Sequence, residues 1–224
     1  MQIETNDLLA CSTETVKYAT LSERLRPRSI DELLLPDPII NKLQRMVDSQ
    51  EVMNMIFYGS PGTGKTSCAH LMNGENGFCN MLYLNAAKDN GIDDIRKKVE
   101  NYATSKSLFG GMKIVILDEA DHLSNSAQAS LRGLIELTSQ NCRYILTVNQ
   151  LAKIQEPLKS RCRPICFDAS YQLLDALIAK LIRTIQSRLI EIGQTVDESQ
   201  LRQLVTLKFP DFRAIANNIE FELL

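Results

Sequence analysis

The 224-residue sequence has no tryptophan, only two histidines (His70 and His122), and no cysteine pair at C-x-x-C spacing. The six cysteines, Cys11, Cys68, Cys79, Cys142, Cys162 and Cys166, therefore form no zinc-ligand pattern and read as reduced, mostly buried thiols. Charge of one sign is also lacking. Lys and Arg total 25 against 27 Asp and Glu, a net charge of −2, which excludes a strongly basic nucleic-acid protein. Any DNA contact must come from a local patch. No apolar run approaches the roughly 20 residues that span a bilayer. Met1–Thr20 carries Glu4 and Asp7 without a basic start, so no signal peptide is expected there. Fixed-period repeats and low-complexity tracts are absent as well.

Short apolar runs punctuate the first three quarters: Met55–Tyr58, Met81–Leu84, Ile114–Leu117, Tyr144–Val148 and Ile165–Phe167. Each is apolar on both alternations, as strands buried on two faces are. Between them lie stretches of helical length over 65–73, 92–102 and 127–138. Alternating strands and helices predict an α/β fold, a parallel sheet covered on both sides. After Asp168 the strand signals stop. Leu174, Leu177, Ile178, Leu181, Ile185 and Leu189 follow helical spacing, with Gly193 as the stop. Asp197 and Gln200 suggest a capping box, and Pro210 and Asp211 are expected to open a third helix. The expected layout is an arm over 1–20, an α/β domain over 21–169, and a small three-helix domain over 170–224.

The strongest motif is Gly59-Ser60-Pro61-Gly62-Thr63-Gly64-Lys65-Thr66, a full match to G-x-x-x-x-G-K-[ST] between a strand and a helix. Its glycines let backbone N–H groups turn toward a phosphate, and the helix start adds its dipole. Lys65 would supply charge to the β- and γ-phosphates, and the Thr66 hydroxyl would bind Mg²⁺, with Ser67 next in line. The second motif, Lys113 to Asp121, delivers Asp118 to the carboxyl end of an apolar strand. Asp118 can hold Mg²⁺ through water, and Glu119 can act as base toward an attacking water.

With both motifs placed, the chain resembles the AAA+ P-loop ATPases, and within them the clamp-loader subunits of replication. These are the replication factor C small-subunit type and the large loader subunit of T-even-type phages. The likeness runs from about Leu21 to Phe221. Ser22-Glu23-Arg24-Leu25-Arg26-Pro27 resembles the family's E-K-Y-R-P motif, with Leu25 for tyrosine, which implies that Arg26 and Pro27 lie over the adenine. Leu84-Asn85-Ala86 and Asn90-Gly91-Ile92-Asp93 resemble N-A-S-D-x-x-G-I-D. Ala127-Gln128-Ala129-Ser130-Leu131-Arg132 with Ile135-Glu136 resembles A-Q-x-A-L-R-R-x-M-E, Gly133 replacing the second arginine. Ser160-Arg161-Cys162 matches the S-R-C mark, implying that Arg161 enters a neighbouring subunit's ATP site. Thr147-Val148-Asn149 resembles sensor 1, with Asn149 near the γ-phosphate. Phe209-Pro210-Asp211-Phe212-Arg213 resembles sensor 2, with Arg213 reaching the same phosphate from the helical lid.

The resemblance implies a five-stranded parallel sheet sandwiched by helices, plus a three-helix lid. It implies ATP and Mg²⁺ as cofactors, and an oligomer, a ring or spiral pentamer with other loader subunits, acting on a sliding clamp and primer–template DNA. Lys88, Ile92, Arg96, Ser124 and Asn125 match the family's DNA-contacting positions, although Arg96 with its basic neighbours also reads as a solvated helix face. The family's helical collar has no counterpart in these 224 residues. A cytoplasmic protein is expected, with a lean toward a bacterial or phage-infected cell. Two other readings stay open: a different AAA+ remodeller, such as an initiator or helicase loader, and a non-hydrolysing subunit that binds nucleotide and donates its arginine.

Overall fold

The computed structural model describes residues 19–74, 80–88, 92–105, 112–168 and 173–224. The arm expected over 1–20 lies outside these, apart from Ala19 and Thr20. Two compact units divide the chain: Pro27–Leu177, and Met1–Arg26 together with Ile178–Leu224.

In the first unit five strands form one parallel sheet: β1 (Met55–Tyr58), β2 (Asn80–Asn85), β3 (Lys113–Asp118), β4 (Cys142–Val148) and β5 (Arg163–Cys166). Their order is β2-β3-β4-β1-β5. Every residue of the interior strand β3 is buried, which is why the run from Ile114 to Leu117 carries no polar alternation. Parallel neighbours require crossovers. After α1 (Leu21–Arg24) and α2 (Asp37–Asp48), these are supplied by α3 (Lys65–Leu71), α4 (Ile92–Thr104), α5 (Asn125–Leu137) and the short α6 (Glu156–Lys159). Pro36 and Pro38 stand at the start of α2, where the missing N–H groups cost nothing.

The period-2 alternation of the strands sorts the core into two clusters. Val115 and Leu117 face Ile95 and Val99 of α4 and Leu131 and Leu134 of α5. Ile114 and Ile116 face the opposite way, toward Leu43 of α2 and Cys68 and Ala69 of α3. Each such apolar side chain contributes about 1.5–3 kcal/mol by leaving water. Burial also pushes the Cys142 and Cys162 thiols up to about 11 and about 12, and Cys68 higher still. The four described cysteines are free, as the sequence suggests.

In the second unit, α7 (Leu174–Glu191) spans the division between Leu177 and Ile178. Gly193, at φ 74°, ends it with N–H bonds from Gly193 to Ile190 O (3.0 Å) and from Gln194 to Leu189 O (2.8 Å). α8 (Glu198–Lys208) is capped by Asp197, which accepts from the Ser199 and Gln200 N–H groups. α9 (Phe212–Asn218) is capped by Asp211, which accepts from the Ala214 N–H at 3.0 Å, and a π-helical turn (Ile219–Leu223) follows. Of the two residues expected to open the third helix, Asp211 caps it and Pro210 stands before the cap. The expected domain limits also differ from the contact division. Residues 21–26 side with the helical unit, because Leu21 and Leu25 are buried and the Leu21 N–H donates to the Glu220 carboxylate at 3.2 Å. The expected boundary at 169/170 falls outside the described residues.

Candidate active site

The loop 59–64 joins β1 to α3 at the carboxyl edge of the sheet. Gly64 caps α3 at φ 91°, a conformation in which a Cβ is strained. Gly59, at φ 142°, is limited by conformation and by space: a Cβ there would stand 3.0 Å from Asp168 Oδ1. Lys65 is buried, and its Nζ donates to Gly59 O (2.8 Å) and Ser60 O (2.7 Å). Thr63 Oγ1 donates to Ser60 O at 2.8 Å. The Ser60 N–H donates to Asp168 Oδ1 at 2.7 Å, so this loop amide already has a partner within the chain. Desolvation, and the nearby Cys166 and Asp168, push the Tyr58 phenol up.

Strand register builds the second wall. Asn85 lies opposite Asp118, Leu117 opposite Leu146, and Phe57 opposite Thr147. Asp118 therefore stands beside Thr147 and, like Ile114 and Ile116, points to the α3 side of the sheet. Its Oδ1 accepts from Thr66 Oγ1 at 2.8 Å and from the Thr147 hydroxyl; its Oδ2 accepts from Tyr83 OH at 2.8 Å. These three donors replace the water that a carboxylate this buried has lost. Glu119 follows in the left-handed region at φ 56°, a conformation costing a non-glycine residue about 1–3 kcal/mol. The Glu119 N–H donates to Thr147 Oγ1 at 3.1 Å, which holds it there.

Other expected residues lie outside these contacts. Asn149 is exposed, one residue past β4. Gln128 of α5 donates to Leu123 O and Lys153 O and accepts from the Gln155 N–H, tying the segments after β3 and β4 together. Arg161 follows α6 and is half-buried. Its Nε donates to Glu136 Oε1 at 2.7 Å, its Nη2 to the same oxygen, and its Nη1 to Pro157 O at 2.6 Å. Arg26 and Arg213 are exposed and belong to the helical unit, whereas Pro27 begins the sheet unit. Pro61 and Gly62 lie in the loop, and Ser67 lies in the first turn of α3.

Of the residues expected to meet DNA, Lys88 is exposed after β2, and Arg96 is exposed on α4 with Glu100 at 4.0 Å. Ile92 opens α4, and its side chain lies outside the described residues. Ser124 caps α5, accepting from the Ala127 N–H at 3.2 Å, and Asn125 is exposed beside it.

The oxygen set suits a hard cation. Thr66 gives its hydrogen to Asp118 and keeps lone pairs for an ion, beside a carboxylate. Among the described residues no group of three or more His, Cys, Asp and Glu could hold a metal ion. A magnesium ion here would share its coordination with phosphate oxygens and water, as is usual for that ion. Sequence reasoning left Thr147, Tyr83, Asp168 and Glu136 without roles. Thr147 carried a signal, two residues before Asn149, and Glu136 stood in the stretch that resembles A-Q-x-A-L-R-R-x-M-E.

A glycine loop capping a helix beside a buried strand-end aspartate, on a five-stranded parallel sheet, defines a P-loop nucleoside-triphosphatase fold. Residues 55–168 match the family model of the AAA proteins, the ATPase family associated with various cellular activities, and the chain belongs to that family. Within it the chain is similar to replication factor C small subunits. It is 35% identical over 207 residues to that of Archaeoglobus fulgidus, covering 88% of this chain and 62% of the relative. It is 34% identical over 204 residues to human replication factor C subunit 5, covering 88% of this chain and 58% of the relative. The chain thus spans about three fifths of the length of these relatives. The fold is shared with Aeropyrum pernix ORC1, solved in complex with DNA (TM-score 0.61, 17% identity, 89% of this chain and 64% of that one). It is shared too with Thermotoga maritima RuvB, a Holliday junction branch migration motor (TM-score 0.56, 16% identity, 88% and 73%). Among the described residues no helix is long and apolar enough to cross a membrane.

Proposed function

We propose that this chain binds ATP with Mg²⁺ and hydrolyses it as one subunit of a clamp loader. The observation that carries this reading is the bond from Thr66 to Asp118, with Glu119 held one residue further on in a strained conformation. The glycine loop wraps the phosphates and Lys65 supplies its ammonium to them. Thr66 offers its hydroxyl oxygen to the ion while Asp118 holds that hydroxyl in place. Bound magnesium would draw charge off the β- and γ-phosphates during in-line attack. Glu119 takes the proton of the attacking water, and Asn149 orients that water or the γ-phosphate. Arg26 and Pro27 cover the adenine. Arg213 senses the γ-phosphate from the helical unit, and Arg161 acts in a neighbour's site.

The partners we propose are other loader subunits in a ring or spiral, of five by family likeness, a sliding clamp and primer–template DNA. Lys88, Arg96 and the starts of α4 and α5 would meet DNA phosphates without sequence preference. Support comes from similarity to replication factor C subunits. These relatives are archaeal and human, so they lend nothing to the bacterial or phage lean of the sequence; a cytoplasmic site stays part of the proposal. The test is ATP turnover alone, with primer–template DNA, and with DNA plus a candidate clamp. Stimulation by clamp and DNA together is expected. Steady turnover indifferent to both would favour another AAA+ remodeller, and binding without turnover would favour a non-hydrolysing subunit.

A further inference from the structure

The edge strand β2 brings a tyrosine into this site that neither motif contains. Alternation along β2 puts Met81 with the α3-side cluster, and Tyr83, two residues on, shares that side. The Tyr83 ring stacks on His70 of α3, with centroids 5.1 Å apart and planes at 28°. Its hydroxyl is then within 2.8 Å of Asp118 Oδ2, the oxygen that neither threonine reaches. On the same strand, Asn85 Oδ1 accepts from the Ala87 and Lys88 N–H groups. Tyr83 is thus held from two sides: by the stack on His70 and by Asp118.

We infer that Tyr83 is a positioning residue for the metal: it fixes the Asp118 carboxylate so that Thr66 and the ion-bound waters meet it in one orientation. A carboxylate bonded on one oxygen can rotate about its Cβ–Cγ bond. Bonded on both oxygens it cannot, so the orientation is set before the ion arrives. Partners that hold a metal's ligands in this way typically change metal affinity by about 10–100-fold when removed.

This inference rests on the Mg²⁺–ATP reading of the site, and the experiment separates the two. Tyr83→Phe keeps the ring and its stack on His70 and removes only the hydroxyl. Binding of a fluorescent ATP analogue is titrated without metal and across magnesium concentrations, for wild type and variant, with thermal unfolding as a check on folding. The variant should need about tenfold more magnesium for half-maximal binding, with metal-free nucleotide affinity and unfolding midpoint unchanged. An equal fall in metal-free affinity would make Tyr83 merely structural and overturn the inference. So would an unchanged magnesium requirement beside a wild type that depends on magnesium. A wild type whose nucleotide binding ignores magnesium would overturn the reading of the site and this inference with it.

Discussion

The Arg161 guanidinium is bound by the Glu136 carboxylate of α5 within the same chain, with the Nε contact at 2.7 Å. The pair is partly exposed, and exposed pairs of this kind hold by about 0–1 kcal/mol. A pair this weak would release Arg161 to a phosphate in the neighbouring subunit that we propose. Arg161→Ala should leave ATP binding intact and lower turnover of the assembled protein by about 10³-fold or more. Mixing it with Lys65→Ala, whose own site is dead but whose arginine is intact, should restore part of the turnover. Failure of the mixture to recover would remove Arg161 from its role in trans.

Glu119 sits one residue past Asp118 in a conformation held by Thr147. Glu119→Gln keeps the side-chain shape and removes the base. It should bind ATP as wild type does and lose about 10²–10⁴-fold in turnover, measured by phosphate release beside an equilibrium binding curve. Wild-type turnover in this variant would assign the base elsewhere.

Gly133 lies in the middle of α5 with nothing within 4 Å of where a Cβ would stand. Glycine there brings only its entropic cost. Gly133→Ala should raise stability by about 0.5–1 kcal/mol, read from a denaturant midpoint.

Asp197 accepts from the Ser199 and Gln200 N–H groups, and these bonds, the Ser199 side chain first, hold its carboxyl below the ordinary value of 3.8. A depressed folded-state pKa adds stability that is present above 3.8 and lost as pH falls through the lower folded value. Asp197→Asn keeps an acceptor for the cap but does not titrate. Acid titration by circular dichroism should show wild type losing helix at low pH more steeply than this variant; superimposable curves would remove the cap's titration from the acid response.

The central strands were legible because burial on two faces leaves a run with no polar position, as at Met55–Tyr58, where expectation and structure share both ends. β5 was less so. It pairs only with β1, at the sheet edge, so Arg163 and Pro164 can be exposed within it, and the apolar signal starts two residues late. The glycine loop and Asp118 were readable because both depend on local spacing. The contacts from Thr147, Tyr83 and Asp168 were not, since each depends on which strand lies beside which. Glu136 was equally hidden: its tie to Arg161 joins residues 25 apart whose meeting depends on how α5 packs against the segment after α6.

The most direct test of the account is magnesium-dependent ATP hydrolysis by the wild-type chain, measured beside Lys65→Ala and Glu119→Gln at equal concentration. The account predicts turnover in the wild type alone, ATP bound without turnover by Glu119→Gln, and neither binding nor turnover in Lys65→Ala. Equal ATP binding by the wild type and Lys65→Ala would contradict it, because the nucleotide would then be held somewhere other than the loop between β1 and α3.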